Sequence, residues 1–540
     1  MVYDIVIKNG RIISGAGNPW YHGEIGITEG RISKIRPKIN EDAERVINAN
    51  GLIVCPGFID IHSHSDYILP VNRSQESTLC QGVTTTMVGM CGDGMAPIPK
   101  GKEEEFKKIV AKLDPVLRQF DYPYHTFAEY LDYNERKRNS GNLAFCVGYG
   151  NIRWAGGQAF ENRAATREEM EQMQTYLREA MEAGAFGMST GLIYAPQIFA
   201  KTEEIIELAK VVAEYNGLYF SHIRSEGKSI IKAIKEAIEI VEKSGCVGGQ
   251  IAHHKVAGEA FWGGSIQTLK LFEEANERGI HMTYDQYPYN RGMSDLATAL
   301  PPWTREGSRD IILERIKDPE IQEKIKKDVK EGIEGWENWI QNEGMNNIYI
   351  STIGSDKWKD VTTLSIPEIT KIKGMADDWE TFFTLLIDNK LVVGITIESM
   401  GEEDVRRIMT GRYQMVGTDG AGIPAAFSSG AYHPRFFGTY PRILAKYVRE
   451  EKILTLEDAI RKMTSFPANK LGLQDRGLIH EGNWADIVMF DPLTVKDTAT
   501  YEHPYQLPQG IPHVIVNGVI VVQNGKKNKK SPGRVLHRTC

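Results

Sequence analysis

The middle of the chain alternates between helix-type and strand-type hydrophobic patterns. One helix is predicted from the capping-box pair Thr166 and Glu169 to Gly184, because apolar residues recur about once per turn between them. A strand-like run at 185–189 follows, and the same order recurs at 203–215 with 218–221, at 229–245 with 249–252 and at 265–279 with 280–284. Repeated helix–strand units predict an α/β fold with a parallel sheet. Their number favours a (β/α)8 TIM-like barrel over a doubly wound open sheet, for which the chain has no GxGxxG motif.

Both ends of the chain carry a β-rich pattern instead. Short apolar runs separated by Gly or Asn fill residues 1–57, where Asn9-Gly10 is predicted to be a hairpin turn. Similar runs occupy 485–490 and 513–522 within residues 471–540. We therefore predict a small β-sandwich built from both chain ends.

A long interruption divides the barrel that is predicted at 58–470. Residues from about 290 to 398 lose the helix–strand rhythm and are rich in charge, with Trp336, Trp339 and Trp358 among them. We predict that these residues form an inserted segment that caps the barrel.

The composition is that of a globular protein. The 540 residues are 41% hydrophobic and 25% charged, which excludes the fibrous and disordered classes. The net charge of −7, with one short basic run at 526–530, argues against nucleic acid as a partner. The start of the chain has no signal-peptide pattern, no apolar stretch is long enough to span a membrane, and the six cysteines form no CxxC pair. We predict a cytoplasmic protein without a membrane partner, either a monomer or a homo-oligomer.

The strongest local chemical signal is an apolar strand, 57–61, that runs into His62-Ser63-His64. Residues i and i+2 of a strand point to the same side, so both imidazoles can reach one metal ion. Two unrelated surface histidines would give the same local sequence. The position at a strand end favours a metal site, because catalytic groups of α/β barrels come from the C-terminal ends of the strands.

Four further residues follow predicted strands in the same way: Cys91, His222, His253 and Asp419. Taken singly, each has an ordinary interpretation, such as a small core filler for Cys91, a buried core histidine for His222 and a turn residue for Asp419. Together, histidines, a cysteine and a carboxylate form a set of ligands that suits zinc. His254, next to His253, is expected to point away from this site.

A series of motifs runs in a fixed order through nearly the whole chain. They occupy 57–64, 82–85, 187–194, 221–226, 253–255, 287–289, 398–400, 418–420 and 433–442. The first looks like the opening motif of the amidohydrolase superfamily, and the series as a whole resembles the N-acyl-D-amino-acid deacylases (D-aminoacylases). The resemblance implies a (β/α) barrel with a small β-sandwich and an inserted segment.

The resemblance also implies the metal ligands. A tightly held zinc would be bound by Cys91, His222 and His253, and a second, weaker position would involve His62, His64 and Asp419, with Cys91 able to bridge. In dihydroorotase-like and hydantoinase-like relatives a carboxylated lysine on the fourth strand bridges two metals. The run at 185–189 contains no lysine, which supports the bridging role of the cysteine.

The implied activity is the zinc-dependent hydrolysis of the amide bond of an N-acyl-D-amino acid. A metal-activated water would attack the amide carbonyl, releasing a carboxylate and a free D-amino acid. Asp419 would act as the general base and then pass the proton to the leaving nitrogen.

Motif positions in the family also indicate substrate-binding residues. Lys255 and Arg435 are candidates for the α-carboxylate, with Tyr287 as a hydroxyl donor and Tyr194 near the scissile group; Arg is the better partner because its planar fork donates two parallel hydrogen bonds. Met400 matches a residue that lines the side-chain pocket, and a methionine there would favour apolar side chains.

The run after Tyr287-Pro288-Tyr289 departs from the family pattern. Arg291 adds a cation that would favour an acidic side chain, as in deacylases of N-acyl-D-glutamate or N-acyl-D-aspartate, and Ser294 supplies the family's serine only with a shift of one residue. The sequence is also compatible with an amidohydrolase that acts on a different amide, such as a cyclic imide or a dipeptide, and with a non-enzymatic scaffold. The scaffold is disfavoured because every ligand position is filled.

Overall fold

Eight parallel strands form a closed barrel in the computed structural model, which describes residues 2–110, 115–158, 160–427 and 430–538. The strands are, in chain order, Phe58–Asp60, Val83–Val88, Asn142–Phe145 continued by Val147–Gly148, Gly187–Gly191, Leu218–His222, Gly248–Ile251, Met282–Gln286 and Gln414–Val416. Each pairs in parallel with the next. A parallel bridge between Ser63 and Gly420 joins the eighth strand to the first. The predicted α/β barrel is therefore confirmed.

Four helices of the barrel, those predicted at 166–184, 203–215, 229–245 and 265–279, lie close to where the hydrophobic pattern places them. The helices between strands are Glu76–Cys80, Glu103–Val110, Phe127–Lys137, Tyr149–Ala155, Arg167–Glu182, Thr202–Glu214, Ile230–Ser244, Ser265–Glu277 and Glu402–Thr410. After the eighth strand come Arg435–Arg442, the π-helical Ile443–Glu450, Leu456–Met463 and Ser465–Leu471. Within the described residues, no helix combines the length and the apolar character that a bilayer-spanning segment needs.

The cap at the end of the helix before the fourth strand explains why that strand begins later than predicted. The predicted capping box is present, since the Glu169 N–H donates to the Thr166 hydroxyl at 3.2 Å and the Thr166 N–H donates to the Glu169 carboxylate at 2.8 Å. At the other end Gly184 has φ 104° and the Ala185 N–H still donates to the Ala180 carbonyl. The strand therefore begins at Gly187, two residues later than predicted.

Both chain ends contribute to one nine-stranded sheet. Its strands are Tyr3–Ile12, Tyr21–Thr28, Arg31–Arg36, Ala43–Asn48 and Ile53–Pro56 from the N-terminal end, and Ile487–Phe490, His513–Val516, Val519–Gln523 and Lys526–Lys527 from the C-terminal end. The two halves join where Ile53–Pro56 pairs with Ile487–Phe490. Ile27 and Ile520 lie near opposite ends of the sheet but share one buried core, so the sheet closes over itself. The prediction that both chain ends build one small β-domain is confirmed.

The predicted hairpin turn at Asn9-Gly10 is wrong. Both residues lie inside the strand Tyr3–Ile12, at a shift in its register with the next strand. Asn9 has φ 61°, so the pair forms a bulge instead of a turn. The first half of the strand pairs with Ala43–Asn48 and the second half with Ile53–Pro56. Pairing with these distant strands keeps the chain extended at a dipeptide that locally favours a turn.

The end of the chain returns to the barrel. The last strand, Val535–Leu536, pairs in parallel with Asn142–Phe145 of the third barrel strand. Cys55, Cys80, Cys91, Cys146 and Cys246 are all buried and free, as predicted for a chain without a disulfide framework, while Cys540 lies outside the described residues.

The inserted segment has its own core. An antiparallel sheet of Arg291–Asp295, Ile348–Ile353 and Val393–Glu398 packs with the helices Arg309–Lys317, Pro319–Glu331, Trp339–Asn342, Ile366–Lys373 and Asp378–Asp388. The three tryptophans noted in the sequence are buried in it. Ile193 and Tyr194, in the loop after the fourth barrel strand, pack against the same core. The segment therefore lies against a loop at the C-terminal end of the barrel.

A buried lysine links the stability of the barrel to pH. Lys462 is 1% exposed, donates to the Gly411 carbonyl, and burial lowers its pKa to about 8. Between this pKa and the value near 10.4 in the unfolded chain, the unfolded state binds more protons, so stability rises with pH. From pH 7 to pH 9 we expect the free energy of unfolding to rise by about 1.4 kcal/mol more than in Lys462→Met. Urea unfolding at both pH values measures this difference.

The control for this prediction is Lys108→Met. Lys108 is exposed, and water screens the electrostatic interactions of an exposed ammonium in the folded state. Its variant should differ from the parent chain by the same amount at both pH values. A constant difference for Lys462→Met as well would contradict the prediction.

Candidate metal centre

The six predicted metal ligands meet at one end of the barrel. His62 and His64 follow the first strand, and Cys91, His222, His253 and Asp419 end or follow the second, fifth, sixth and eighth strands. Ligand atoms of His62, Cys91, His253 and Asp419 all lie within 4.8 Å of one another, and these four residues are buried. The C-terminal end of the strands is where α/β barrels carry their catalytic groups.

Short distances connect the remaining two ligands to this group. His222 Nδ1 lies 2.8 Å from His253 Nε2, which lies 3.6 Å from Cys91 Sγ. On the other side, Asp419 Oδ1 lies 3.1 Å from His64 Nε2 and 3.3 Å from His62 Nε2. Cys91 Sγ is also 3.4 Å from His62 Nε2, so the sulfur stands between the two halves of the cluster.

Three of the predicted ligands have an unusual backbone conformation. Cys91, His253 and Asp419 have φ values of 55°, 36° and 48°, in the left-handed region that residues other than Gly seldom adopt. Such conformations cost about 1–3 kcal/mol each and persist where the surrounding structure enforces them. Each residue lies within a few positions of the end of a buried strand, so the turn aims its side chain across the barrel mouth.

The electrostatics of the cluster favour its anionic ligands. Burial raises the pKa of the Cys91 thiol, but the charge of His62 and hydrogen bonds from His222 and His253 outweigh it and bring the pKa well below its ordinary value. Burial likewise raises the pKa of Asp419, but the charges of Arg435, His253 and His62 hold it well below its usual range. Both shifts favour the thiolate and the carboxylate, which are the forms that bind metal.

Two buried carboxylates that the sequence analysis missed orient the first ligand. Asp285 Oδ1 lies 3.0 Å from His62 Nδ1 and accepts the His253 N–H at 2.8 Å. Asp60 accepts from the Thr418 N–H and hydroxyl, which ties the first strand to the eighth. The sequence did hold a signal, since Asp60 precedes His62 by two residues in a strand and Asp285 follows a predicted strand directly.

A third missed carboxylate, Glu226, contacts His253 on the side of the ring that faces away from the metal cluster. Glu226 Oε1 lies 2.9 Å from His253 Nδ1 and 2.6 Å from Lys255 Nζ. Glu337 of the inserted segment accepts the Glu226 N–H at 2.9 Å. Because Nδ1 faces Glu226, Nε2 of His253 is left to face the cluster. Lys255 Nζ also lies 2.8 Å from His253 Nδ1, so the carboxylate and the ammonium together orient the imidazole ring.

Glu226→Gln should weaken metal binding. The amide keeps the shape of the side chain but loses the charge that faces His253, and changes in such supporting groups cost about 10–100-fold in metal affinity. Competition with a chelator measures the affinity. Glu236→Gln is the matched control, because Glu236 pairs with Arg224 at 2.9 Å outside the cluster. Equal affinities of the two variants would contradict the role of Glu226.

The three predicted carboxylate-binding residues lie together beside the cluster. Arg435 Nη1 is 2.8 Å from Asp419 Oδ2, and the Arg435 guanidinium lies 4.6 Å from the centre of the Tyr287 ring. Within the described residues, Arg435 Nε and the Tyr287 hydroxyl are buried without a hydrogen-bond partner, whereas Arg435 Nη1 is engaged by Asp419. Lys255 differs, because Glu226 already neutralises its charge. Arg435 and Tyr287 thus have free donors for a bound anion.

The other predicted pocket residues occupy two places. Tyr194 lies beside the metal cluster, with its ring 5.0 Å from that of His222. Met400 belongs to the same hydrophobic core as Tyr287. Arg291 pairs with Glu398 at 2.9 Å and stacks on Tyr349 and Tyr501. Arg291 also lies opposite Glu398 in the antiparallel pairing of their strands. Its charge is therefore compensated within the protein.

His254 behaves as expected from its position. Its Nε2 lies 2.9 Å from the Thr268 hydroxyl, and its ring packs against Phe272 and Tyr284. It therefore faces the helix Ser265–Glu277 and not the metal cluster.

Comparisons with known proteins agree with this site. An amidohydrolase family model matches residues 397–522. D-aminoacylase of Alcaligenes xylosoxydans xylosoxydans is 33% identical over 538 residues, covering 100% of this chain and 98% of that protein, and N-acyl-D-glutamate deacylase of the same organism is 33% identical, covering 99% and 96%. The crystal structure of N-acyl-D-glutamate deacylase from Bordetella bronchiseptica, complexed with zinc and a phosphonate mimic of the tetrahedral intermediate, matches with a TM-score of 0.82 at 31% identity, covering 99% and 100%. The chain belongs to the D-aminoacylase family of amidohydrolases.

Proposed function

We propose that this chain is a zinc-dependent deacylase that hydrolyses N-acyl-D-amino acids to a carboxylate and a free D-amino acid. The observation that carries the proposal is the joint placement of the metal cluster and the unpartnered Arg435 and Tyr287 donors at one barrel mouth. The activities of the full-length relatives supply the chirality, which nothing in the cluster itself encodes. A cytoplasmic location is part of the proposal, and the free buried cysteines support it.

The donor atoms fit zinc. Sulfur, imidazole nitrogen and carboxylate oxygen converge within a few ångströms, which is a mixed donor set that suits zinc. Cys91, His222 and His253 would hold the tight zinc, and His62, His64 and Asp419 a second, weaker position. Zinc held by these residues supplies Lewis acidity toward an amide carbonyl and makes water more acidic near neutral pH.

Asp419 is the residue best placed to move the proton. Its Oδ1 lies 3.3 Å from His62 Nε2 and 3.1 Å from His64 Nε2, among the predicted metal ligands, so it is placed to accept a proton from the attacking water. It then delivers that proton to the leaving nitrogen, because an amine leaves poorly unless it is protonated. Arg435 therefore pairs with Asp419 through Nη1 and binds the substrate carboxylate through Nε.

The pocket favours an apolar amino-acid side chain. Arg435 and Tyr287 bind the α-carboxylate through their free donors, and Lys255 adds positive potential while it stays paired with Glu226. Met400 belongs to the same hydrophobic core as Tyr287, and a methionine in the pocket favours an apolar side chain. Arg291 is compensated by Glu398 and does not select for an acidic side chain.

The test is the hydrolysis of paired N-acetyl-D- and N-acetyl-L-amino acids by protein of known zinc content. Methionine, leucine, glutamate and aspartate are compared. We expect release of the D-amino acids only, with methionine and leucine preferred. Faster release of D-glutamate or D-aspartate would overturn the assignment of the pocket, and no release from any pair would overturn the deacylase assignment and leave another amide on the same barrel.

A further inference from the structure

One buried carboxylate of the inserted segment contacts the loop after the fifth barrel strand. Glu337 is 3% exposed, and its Oε2 accepts the Glu226 N–H at 2.9 Å and the Gly227 N–H at 3.4 Å. Its Oε1 accepts from Asn342 Nδ2 at 3.2 Å, within the inserted segment. Glu337 therefore bonds to the barrel loop through one oxygen and to its own segment through the other.

The core of the inserted segment fixes the position of Glu337. Trp336 precedes it directly, Trp339 follows two positions later, and both tryptophans are buried in that core. The two segments approach closely at this point, because a Cβ at Gly227 would lie 2.9 Å from Glu337 Oε1 and 3.2 Å from Asn342 Nδ2. The placement of the loop therefore depends on the placement of the inserted segment.

Both backbone hydrogen-bonding groups of Glu226 are used. Glu337 accepts its N–H, and its carbonyl accepts the Ala257 N–H at 2.8 Å. With its backbone held on both sides, Glu226 places its Oε1 2.9 Å from His253 Nδ1 and 2.6 Å from Lys255 Nζ. Loss of Glu337 would leave the buried Glu226 N–H without its acceptor, and the loop would have to move to find another one. That movement would take the Glu226 carboxylate away from the His253 ring.

We propose that Glu337 is a positioning residue for the metal centre, which acts through Glu226 and makes zinc affinity depend on the docking of the inserted segment. The inference rests on the metal site of the proposed function and not on the substrate. Coupling between two equilibria is reciprocal, so zinc binding should in turn strengthen the docking of the inserted segment.

The first test is zinc affinity, measured by competition with a chelator. Glu337→Leu removes the acceptor but keeps a side chain of similar size, and we expect the affinity to fall about tenfold, because lost supporting groups of metal ligands cost about 10–100-fold. Glu337→Gln retains an acceptor for the Glu226 N–H and should bind zinc as the parent chain does. Glu334→Leu is the matched control, because it breaks a 3.0 Å pair between the inserted segment and Lys232 of the barrel at the surface, where the side chains are 88% and 78% exposed. Its affinity should be unchanged.

A double variant tests whether Glu337 acts through Glu226. Glu226→Gln combined with Glu337→Leu should bind zinc about as well as Glu226→Gln alone, whereas the losses of independent residues would add. Gly227→Ala keeps Glu337 but forces the two segments apart, so it should also weaken zinc binding, and it decides the question if Glu337→Leu does not fold. Unchanged affinity in Glu337→Leu or in Gly227→Ala, or additive losses in the double variant, would overturn the proposal. Failure of the parent chain to bind zinc would instead overturn the proposed function.

The reciprocal effect is measured by amide hydrogen exchange without any substrate. Zinc should slow exchange in peptides that cover 225–227 and 336–343 of the parent chain, because docking protects the amides of both segments. This effect of zinc should be smaller in Glu337→Leu. A residue that only stabilised the fold would leave the effect of zinc the same in both chains, and that result would overturn the proposal.

Discussion

Asp419→Ala should lower kcat for N-acetyl-D-methionine by about 10³-fold or more while the tight zinc stays bound. General acid–base groups contribute about 10²–10⁴-fold, and this carboxylate serves both proton transfers. The zinc remains because Cys91, His222 and His253 do not depend on Asp419 for their mutual placement. Kinetics and metal analysis on the same preparation measure both effects.

The control separates the loss of an ion pair from the loss of the proton carrier. Asp388→Asn breaks a pair with Lys357 of 2.7 Å in the inserted segment, comparable to the 2.8 Å pair between Asp419 and Arg435. It should keep full activity. An Asp419→Ala protein that turns over at a normal rate would remove Asp419 from the mechanism.

Cys91→Ala should lose both the tight zinc and the activity. The Cys91 sulfur is the only anionic ligand of the three proposed for that zinc, and it also faces His62 of the weaker position. Its loss leaves two neutral imidazoles, which hold zinc less well than a set that includes a thiolate. We expect zinc content after dialysis to fall well below one per chain and kcat to fall about 10³-fold or more, as expected when a metal that activates water is lost.

Cys246→Ala provides the matched control for this variant. Cys246 is also buried and free, but its thiol donates to the Ala209 carbonyl between two outer helices of the barrel. That variant should keep zinc and activity. Full zinc occupancy in Cys91→Ala would show that the cysteine is not a ligand.

Local patterns predicted the parts of the fold that local forces determine. The capping box at Thr166, the stop at Gly184 and the repeated strand ends were all readable, because each depends on neighbours within a turn or two. Asn9-Gly10 shows where a local pattern fails. Its conformation depends on Ala43–Asn48 and Ile53–Pro56, which are distant in the sequence.

The candidate site likewise contains residues that the sequence could predict and residues that it could not. His62, Cys91, His222, His253 and Asp419 share a position relative to their strands, and that shared position made them visible in the sequence. Glu226 and Glu337 were not visible as supporting groups, because their role comes from contacts between the fifth-strand loop and the inserted segment. The local sequence around a single carboxylate in a loop does not reveal which distant residue it will contact in the fold.

The sheet built from both chain ends has a consequence for synthesis on the ribosome. Roughly 430 residues separate Ile53–Pro56 from its partner strand Ile487–Phe490, and at 5–20 residues per second their translation takes about 20–90 s. During that interval the N-terminal strands present an open edge and an uncovered row of isoleucines, including Ile7 and Ile25. Nascent chains halted before residue 487 should therefore bind chaperones or aggregate, and release of the completed chain should end both.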